Sequence, residues 1–233
     1  MKTIRENITT LFLDVGGVLL TSGWDRKSRQ LAITRFQLDG DETEERHHLI
    51  FHLHEEGKLT LDEYLERVIF YQTRNFSKDD FKTFMFEQSS PIEGSIEFFK
   101  SLKVRNHLKV IAVNNEALEL NNFQIHKFRL AQLFDAFVSS CNVHLRKPDV
   151  EIFQMACEIA HTPPRNVLFI DDRLMFVEVA ATIGIRGYQF RELNAAKTFM
   201  ASIGSHLSIN SGKEREDQNG QITKIYRFPI YHE

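Results

Sequence analysis

Three short apolar runs, at residues 11–13, 110–113 and 167–170, each lead directly into a carboxylate or an amide and then into a helical pattern. Runs this short, with no polar alternation, suit strands buried on both faces, which requires helices on both sides of the sheet. They predict parallel strands joined by crossover helices. Helices are expected over 117–130 and 174–183, and further strands over 136–139 and 186–189. The fold class is α/β, a doubly wound, Rossmann-like parallel sheet.

From about residue 25 to residue 88 the pattern is helix after helix, with no strand-like run. Thr60 with Glu63, and Ser77 with Asp80, have the spacing of capping boxes, opening helices through about Tyr71 and towards Phe86. The expected organisation is a core of residues 1–20 and 89–207 carrying a helical insertion at 21–88. Pro91 and Gly94 mark the return to the core, ahead of a helix whose apolar positions are Ile96, Phe98, Phe99 and Leu102. Residues 208–233 form a separate tail: a polar, charged stretch, then ITKIYRFPIY, which alternates like an edge strand with Pro229 limiting its pairing.

A chain of 233 residues, 42% hydrophobic, can bury a core for one domain with an insertion. Its net charge of -3 provides no field for nucleic-acid phosphates. Cys141 and Cys157 are too few for a disulfide framework and read as core residues in a reducing compartment. No stretch approaches the ~20 apolar residues a bilayer requires, and MKTIRENITT has no leader pattern. The expectation is a cytoplasmic protein with no membrane or nucleic-acid partner; oligomeric state is left open.

Asp14, Asn114 with Asn115, and Asp171 with Asp172 all follow apolar strands. Ligands of open parallel sheets bind at the carboxyl ends of strands, so these residues are expected to share one crevice. Carboxylates gathered away from water call for cations, and Lys147 and a metal ion are the candidates.

The segments LFLDVGGVLL, VIAVNN, Arg146-Lys147-Pro148-Asp149 and VLFIDDR resemble the four ordered motifs of the haloacid dehalogenase (HAD) superfamily. The likeness runs from about residue 8 to 205, with the insertion where that family has its helical cap. It implies a magnesium-dependent phosphatase acting on a small phosphorylated metabolite through an aspartyl-phosphate. Asp14 would be the nucleophile and Lys147 its charge partner. Mg2+ would be held by Asp14, Asp171, Asp172 and the main-chain carbonyl of Gly16. Gly16 and Gly17 would form a tight turn bringing N–H groups close to phosphate, and Asn114 and Asn115 would contact the phosphoryl group.

Three residues depart from the family pattern. Gly16 stands where its phosphatases carry a second aspartate, the general acid and base; Asn114 replaces serine or threonine; and Phe176 replaces an asparagine. The first two motivate a rival reading, a catalytically silent phosphate-binding or regulatory protein. A carbon–halogen hydrolase is a further alternative, disfavoured by the intact Asp171-Asp172 pair. His47, His48, His52 and His54 read as solvated or half-buried helix residues rather than a metal site, and the phenylalanines as core and cap packing, with lining of the substrate entrance the alternative for Trp24 and Phe51.

Overall fold

The computed structural model describes residues 7–204. The tail at 208–233, with its expected edge strand, lies outside the described residues. Five parallel strands, β1 (Thr10–Leu13), β2 (Lys109–Asn114), β3 (Ala136–Ser139), β4 (Val167–Asp171) and β5 (Arg186–Gln189), form one sheet in the order β3-β2-β1-β4-β5. The chain moves outward from β1 through β2 to β3, then returns to the other side of β1 for β4. The order therefore reverses between β1 and β4, where a crevice opens at the strand ends.

Successive side chains of β1 point to opposite faces. Leu11 and Leu13 join a cluster with Phe99, Leu102, Ala196 and Met200, from helices α5 (Ser95–Asn106) and α10 (Leu193–Ser202). Phe12 joins Ile111 and Phe169 on the other face, under α8 (Val150–Ala160) and α9 (Leu174–Ala181). Both faces are covered by apolar side chains, as the unbroken apolar runs require.

Between β1 and α5 lie α1 (Arg26–Phe36), α2 (Gly40–Glu55), α3 (Leu61–Val68) and α4 (Lys78–Glu87). They share an apolar cluster of their own, in which Tyr64, Leu65, Val68 and Phe81 are fully buried. Both capping boxes form, at Thr60–Glu63 and Ser77–Asp80. Helix α3 ends at Val68, short of the expected Tyr71. The helix expected over 117–130 is α6 (Leu118–Lys127), which stops before Arg129 enters the left-handed region at φ 52°. The helix expected to reach residue 183 ends at Ala181, ahead of Gly184 at φ 87°.

Hydrogen bonds fix the entry to and exit from these helices and tie α2 to the core. Thr21 and Ser90 bond to each other, Thr21 N–H to the Ser90 carbonyl at 2.8 Å and Ser90 N–H to Thr21 Oγ1 at 2.9 Å. The turn after α2 abuts the short helix α7 (Ser140–Val143), with Ser140 Oγ donating to the Glu55 carbonyl at 2.6 Å and His144 Nδ1 bonding the Glu56 carbonyl at 2.7 Å.

Gly57 sits in that turn at φ 68°, and a Cβ there would overlap the Cys141 carbonyl oxygen. Gly57→Ala should therefore lower stability by about 1–3 kcal/mol, combining left-handed strain with a displaced seam. Gly40→Ala, where a Cβ meets only the Ile33 side chain at 3.5 Å, should stay within roughly 0.5 kcal/mol. Urea denaturation of both variants checks this; equal midpoints would mean the seam is not tight.

Candidate active site

Adjacent β1 and β4 run in register, Leu13 beside Ile170, and the Asp14 N–H donates to the Ile170 carbonyl at 2.9 Å. Asp14 and Asp171 thus leave the same edge of the sheet side by side. Lys147, from the loop after α7, is 1% exposed and reaches between them, with Nζ 3.1 Å from Asp14 Oδ1 and 2.6 Å from Asp171 Oδ2. Asp171 Oδ1 also accepts from the Arg173 N–H at 2.8 Å. The Lys147 ammonium lies 5.2 Å from the ring centre of Phe176 and 5.5 Å from that of Phe169. The aromatic residue at 176 thus walls in the lysine, a role that the bare sequence did not suggest.

The two glycines after Asp14 differ. Gly17 has φ 77°, and a Cβ there would lie 2.5 Å from the Asp172 carboxyl, so only glycine fits. Gly16 is under no such constraint, since a Cβ would meet Ser22 Cα at an ordinary 3.5 Å. The expectation that both N–H groups face phosphate needs correcting, because the Gly17 N–H is spent on the Leu20 carbonyl at 2.7 Å. That turn leaves Gly16 N–H and C=O without a partner among the described residues.

The asparagines also part ways. Asn115 accepts from the Lys147 N–H and donates to the Lys147 carbonyl, both at 2.8 Å, so its side chain fixes the backbone that carries the lysine. Asn114 is 2% exposed, accepts from Ser139 Oγ at 2.8 Å and donates to Asn121 Oδ1 at 3.1 Å. Its amide is committed to this buried network, not presented to the crevice as expected of a phosphate contact.

Three carboxylates face one ammonium. Oxygens of Asp14, Asp171 and Asp172 lie within 4.8 Å of one another, the one such acidic or histidine cluster among the described residues. Burial, with Asp171 and Asp172 adding to it and Lys147 opposing, pushes the Asp14 carboxyl up to about 7. Burial and then Asp171 raise Asp172 as well. Burial lowers the Lys147 ammonium, but Asp14 and Asp171 outweigh it and hold the group above its ordinary value. Hard oxygen donors carrying surplus negative charge suit a divalent cation such as magnesium.

Above this floor is a cavity of about 360 Å³, roofed by the inserted helices and lined there by Trp24, His47, Phe51 and Glu55. Of the two readings for Trp24 and Phe51, packing and entrance lining, both residues fit the second. His48 Nδ1 bonds the Glu44 carbonyl at 2.6 Å and His54 Nδ1 the Leu59 carbonyl at 3.1 Å, so the four histidines form no ligand cluster. Glu116 was missed, although it follows Asn114-Asn115 and the strand-end rule points to it. It lines the cavity, and burial, then Glu55, push its carboxyl up to about 8. Arg146, beside Lys147, pairs with Glu55 at 2.5 Å and lies 5.0 Å from the Phe51 ring centre, joining roof to floor.

No helix among the described residues is long and apolar enough to cross a membrane. The chain is 25% identical over 164 residues to flavin mononucleotide hydrolase 1 of Arabidopsis thaliana, covering 70% of this chain and 66% of that one. It is 28% identical over 130 residues to a phosphorylated carbohydrates phosphatase of Thermotoga maritima, 56% of each. The chain thus spans under two thirds of the length of these curated relatives. A solved HAD family enzyme of Bacteroides thetaiotaomicron superposes with a TM-score of 0.72 at 22% identity, over 83% of this chain and 98% of that one. Its complex with magnesium and inorganic phosphate does so at 0.66 and 24%, over 79% and 94%. A family model described as haloacid dehalogenase-like hydrolase matches residues 8–184, which is most of the chain, and with four ordered motifs meeting at one crevice this chain belongs to that family.

Proposed function

We propose that the protein is a magnesium-dependent phosphatase that cleaves small phosphate monoesters through an aspartyl-phosphate on Asp14. The observation that carries this reading is Lys147, buried and bridging Asp14 and Asp171 on the floor of a closed-over cavity. Relatives named for hydrolysis of a flavin nucleotide and of phosphorylated carbohydrates support a small phosphorylated substrate, and the magnesium and phosphate complex of the Bacteroides enzyme supports the ion. A cytoplasmic setting is part of the same reading, in keeping with two free, buried cysteines.

In this mechanism an Asp14 carboxylate oxygen attacks phosphorus as the bond from phosphorus to the ester oxygen breaks. Water then attacks the same phosphorus, releasing phosphate and restoring Asp14. Asp14, Asp171, Asp172 and the Gly16 carbonyl would hold magnesium, which would offset phosphoryl charge. Lys147 orients Asp14 and balances charge in the same pocket, while Asn115 holds Lys147 by its backbone. With glycine at position 16, the leaving oxygen takes its proton from solvent or another group. That, and the diversion of Asn114 into a buried network, are the observations favouring a silent phosphate-binding role instead.

Asp14→Asn should abolish turnover while leaving the fold intact, because it keeps volume and removes the nucleophile. A screen of sugar and nucleotide phosphates with and without magnesium checks this, and retention of more than about a few percent of activity would sink the covalent mechanism. Asp171→Ala should weaken magnesium binding in calorimetry more than any substitution in the inserted helices.

Gly16→Asp should raise turnover, since the backbone and the 3.5 Å clearance admit a side chain. A positioned general acid and base is worth ~10² to 10⁴-fold in favourable cases. A folded, magnesium-binding variant no faster than its parent would show that position 16 lacks nothing the reaction needs.

A further inference from the structure

The roof holds a hydrogen-bond relay with a definite direction. The Trp24 indole N–H, which can only donate, gives to Tyr64 Oη at 2.9 Å, and Tyr64 Oη lies 2.8 Å from His47 Nδ1. Tyr64 is fully buried, so its own O–H needs an acceptor. His47 Nδ1 is the acceptor at hand. The proton of the neutral imidazole is thereby assigned to Nε2, on the far side of the ring.

That Nε2–H has no partner among the described residues. Nor is it sealed in: the enclosed, unpartnered side-chain atoms are Thr43 Oγ1, Arg74 Nη2, Glu119 Oε2 and Asn121 Nδ2. His47 is 8% exposed and lines the cavity, so its one open polar atom faces that space. Phe51 stacks on the ring, with centroids 5.2 Å apart at 29°, and fixes its plane.

We infer that His47 is a specificity residue: its Nε2–H, fixed by Tyr64 and Trp24, donates to an uncharged oxygen or ring-nitrogen acceptor on the organic part of the substrate. This rests on the phosphatase reading only for the word substrate; the subsite itself is a matter of binding. Burial, with Arg29, His48 and His54 adding to it, holds the His47 pKa down to about 3, so the ring stays neutral through the physiological range. A neutral donor discriminates through the acceptor it must satisfy. An ester without one leaves the Nε2–H desolvated and unpaired, and binds less well.

The test is calorimetry with magnesium on the full chain carrying Asp14→Asn, titrated with flavin mononucleotide, glucose 6-phosphate and phenyl phosphate. The first two carry acceptors beyond the phosphoryl group, and the third carries none. The quantity read is the ratio of affinities, the tighter acceptor-bearing ester over phenyl phosphate. His47→Phe should reduce that ratio about 10-fold, and His47→Gln, which keeps an N–H, should restore most of it. Tyr64→Phe removes one buried atom, frees the tautomer and should lower the ratio about 3-fold, so the idea stays testable if the His47 variants fold poorly. No preference for acceptor-bearing esters in the parent, or affinities that fall in step across all three probes, would overturn it. Selective binding without any hydrolysis by the unsubstituted protein would leave the subsite standing and remove the phosphatase reading; hydrolysis with an unmoved ratio would do the reverse.

Discussion

One buried ammonium organises this molecule. Lys147 is a charge taken almost wholly out of water, tolerable because two carboxylates, Asp14 and Asp171, meet it at 3.1 and 2.6 Å. Removing the lysine would strand the buried carboxylates it pairs, at a cost of about 3–5 kcal/mol. The contact constrains the fold. It needs β1 beside β4, which is where the strand order reverses, and it needs the loop after α7 brought down onto their ends. Asn115, at the end of β2, does the latter with two hydrogen bonds to the Lys147 backbone. Four separate stretches of chain are thereby fixed relative to one another around one nitrogen.

The sequence made the framework legible because its signal was strong and local. Strands β3 and β5 run over the residues expected, and β2 and β4 take in the polar residue at their carboxyl ends as well. The convergence of Asp14, Asp171 and Asp172 likewise follows from a rule about strand ends. What the sequence did not disclose was competition between partners. An asparagine gives and accepts alike, so nothing in VIAVNN indicates that Ser139 and Asn121 would claim Asn114 while Lys147 claims Asn115. The two glycines look equivalent in DVGGVL, yet a carboxyl from position 172 makes one obligatory and leaves the other free. Trp24, His47 and Tyr64 meet only because the segment leading into α1 packs against α2 and α3, and no periodicity within one helix encodes that.

The cavity consequently has two ends of different character, and the difference bears on how it fills. The floor carries more negative than positive charge, so burial and mutual repulsion together lift Asp14 towards its protonated, non-nucleophilic form. A phosphate arriving alone would add to that surplus in surroundings that screen it poorly. A divalent cation among the three carboxylates reverses both effects, favouring ionised Asp14 and an anionic guest with the same charge. Cation and phosphate affinities at this floor are therefore coupled through one electrostatic balance, and each should strengthen the other. The roof enters this balance less: its histidine and aromatic rings carry no charge, and its Glu55 is paired with Arg146. Changes there alter which organic group is held while leaving the electrostatics at Asp14 largely alone, so one floor can serve different esters as the inserted helices vary.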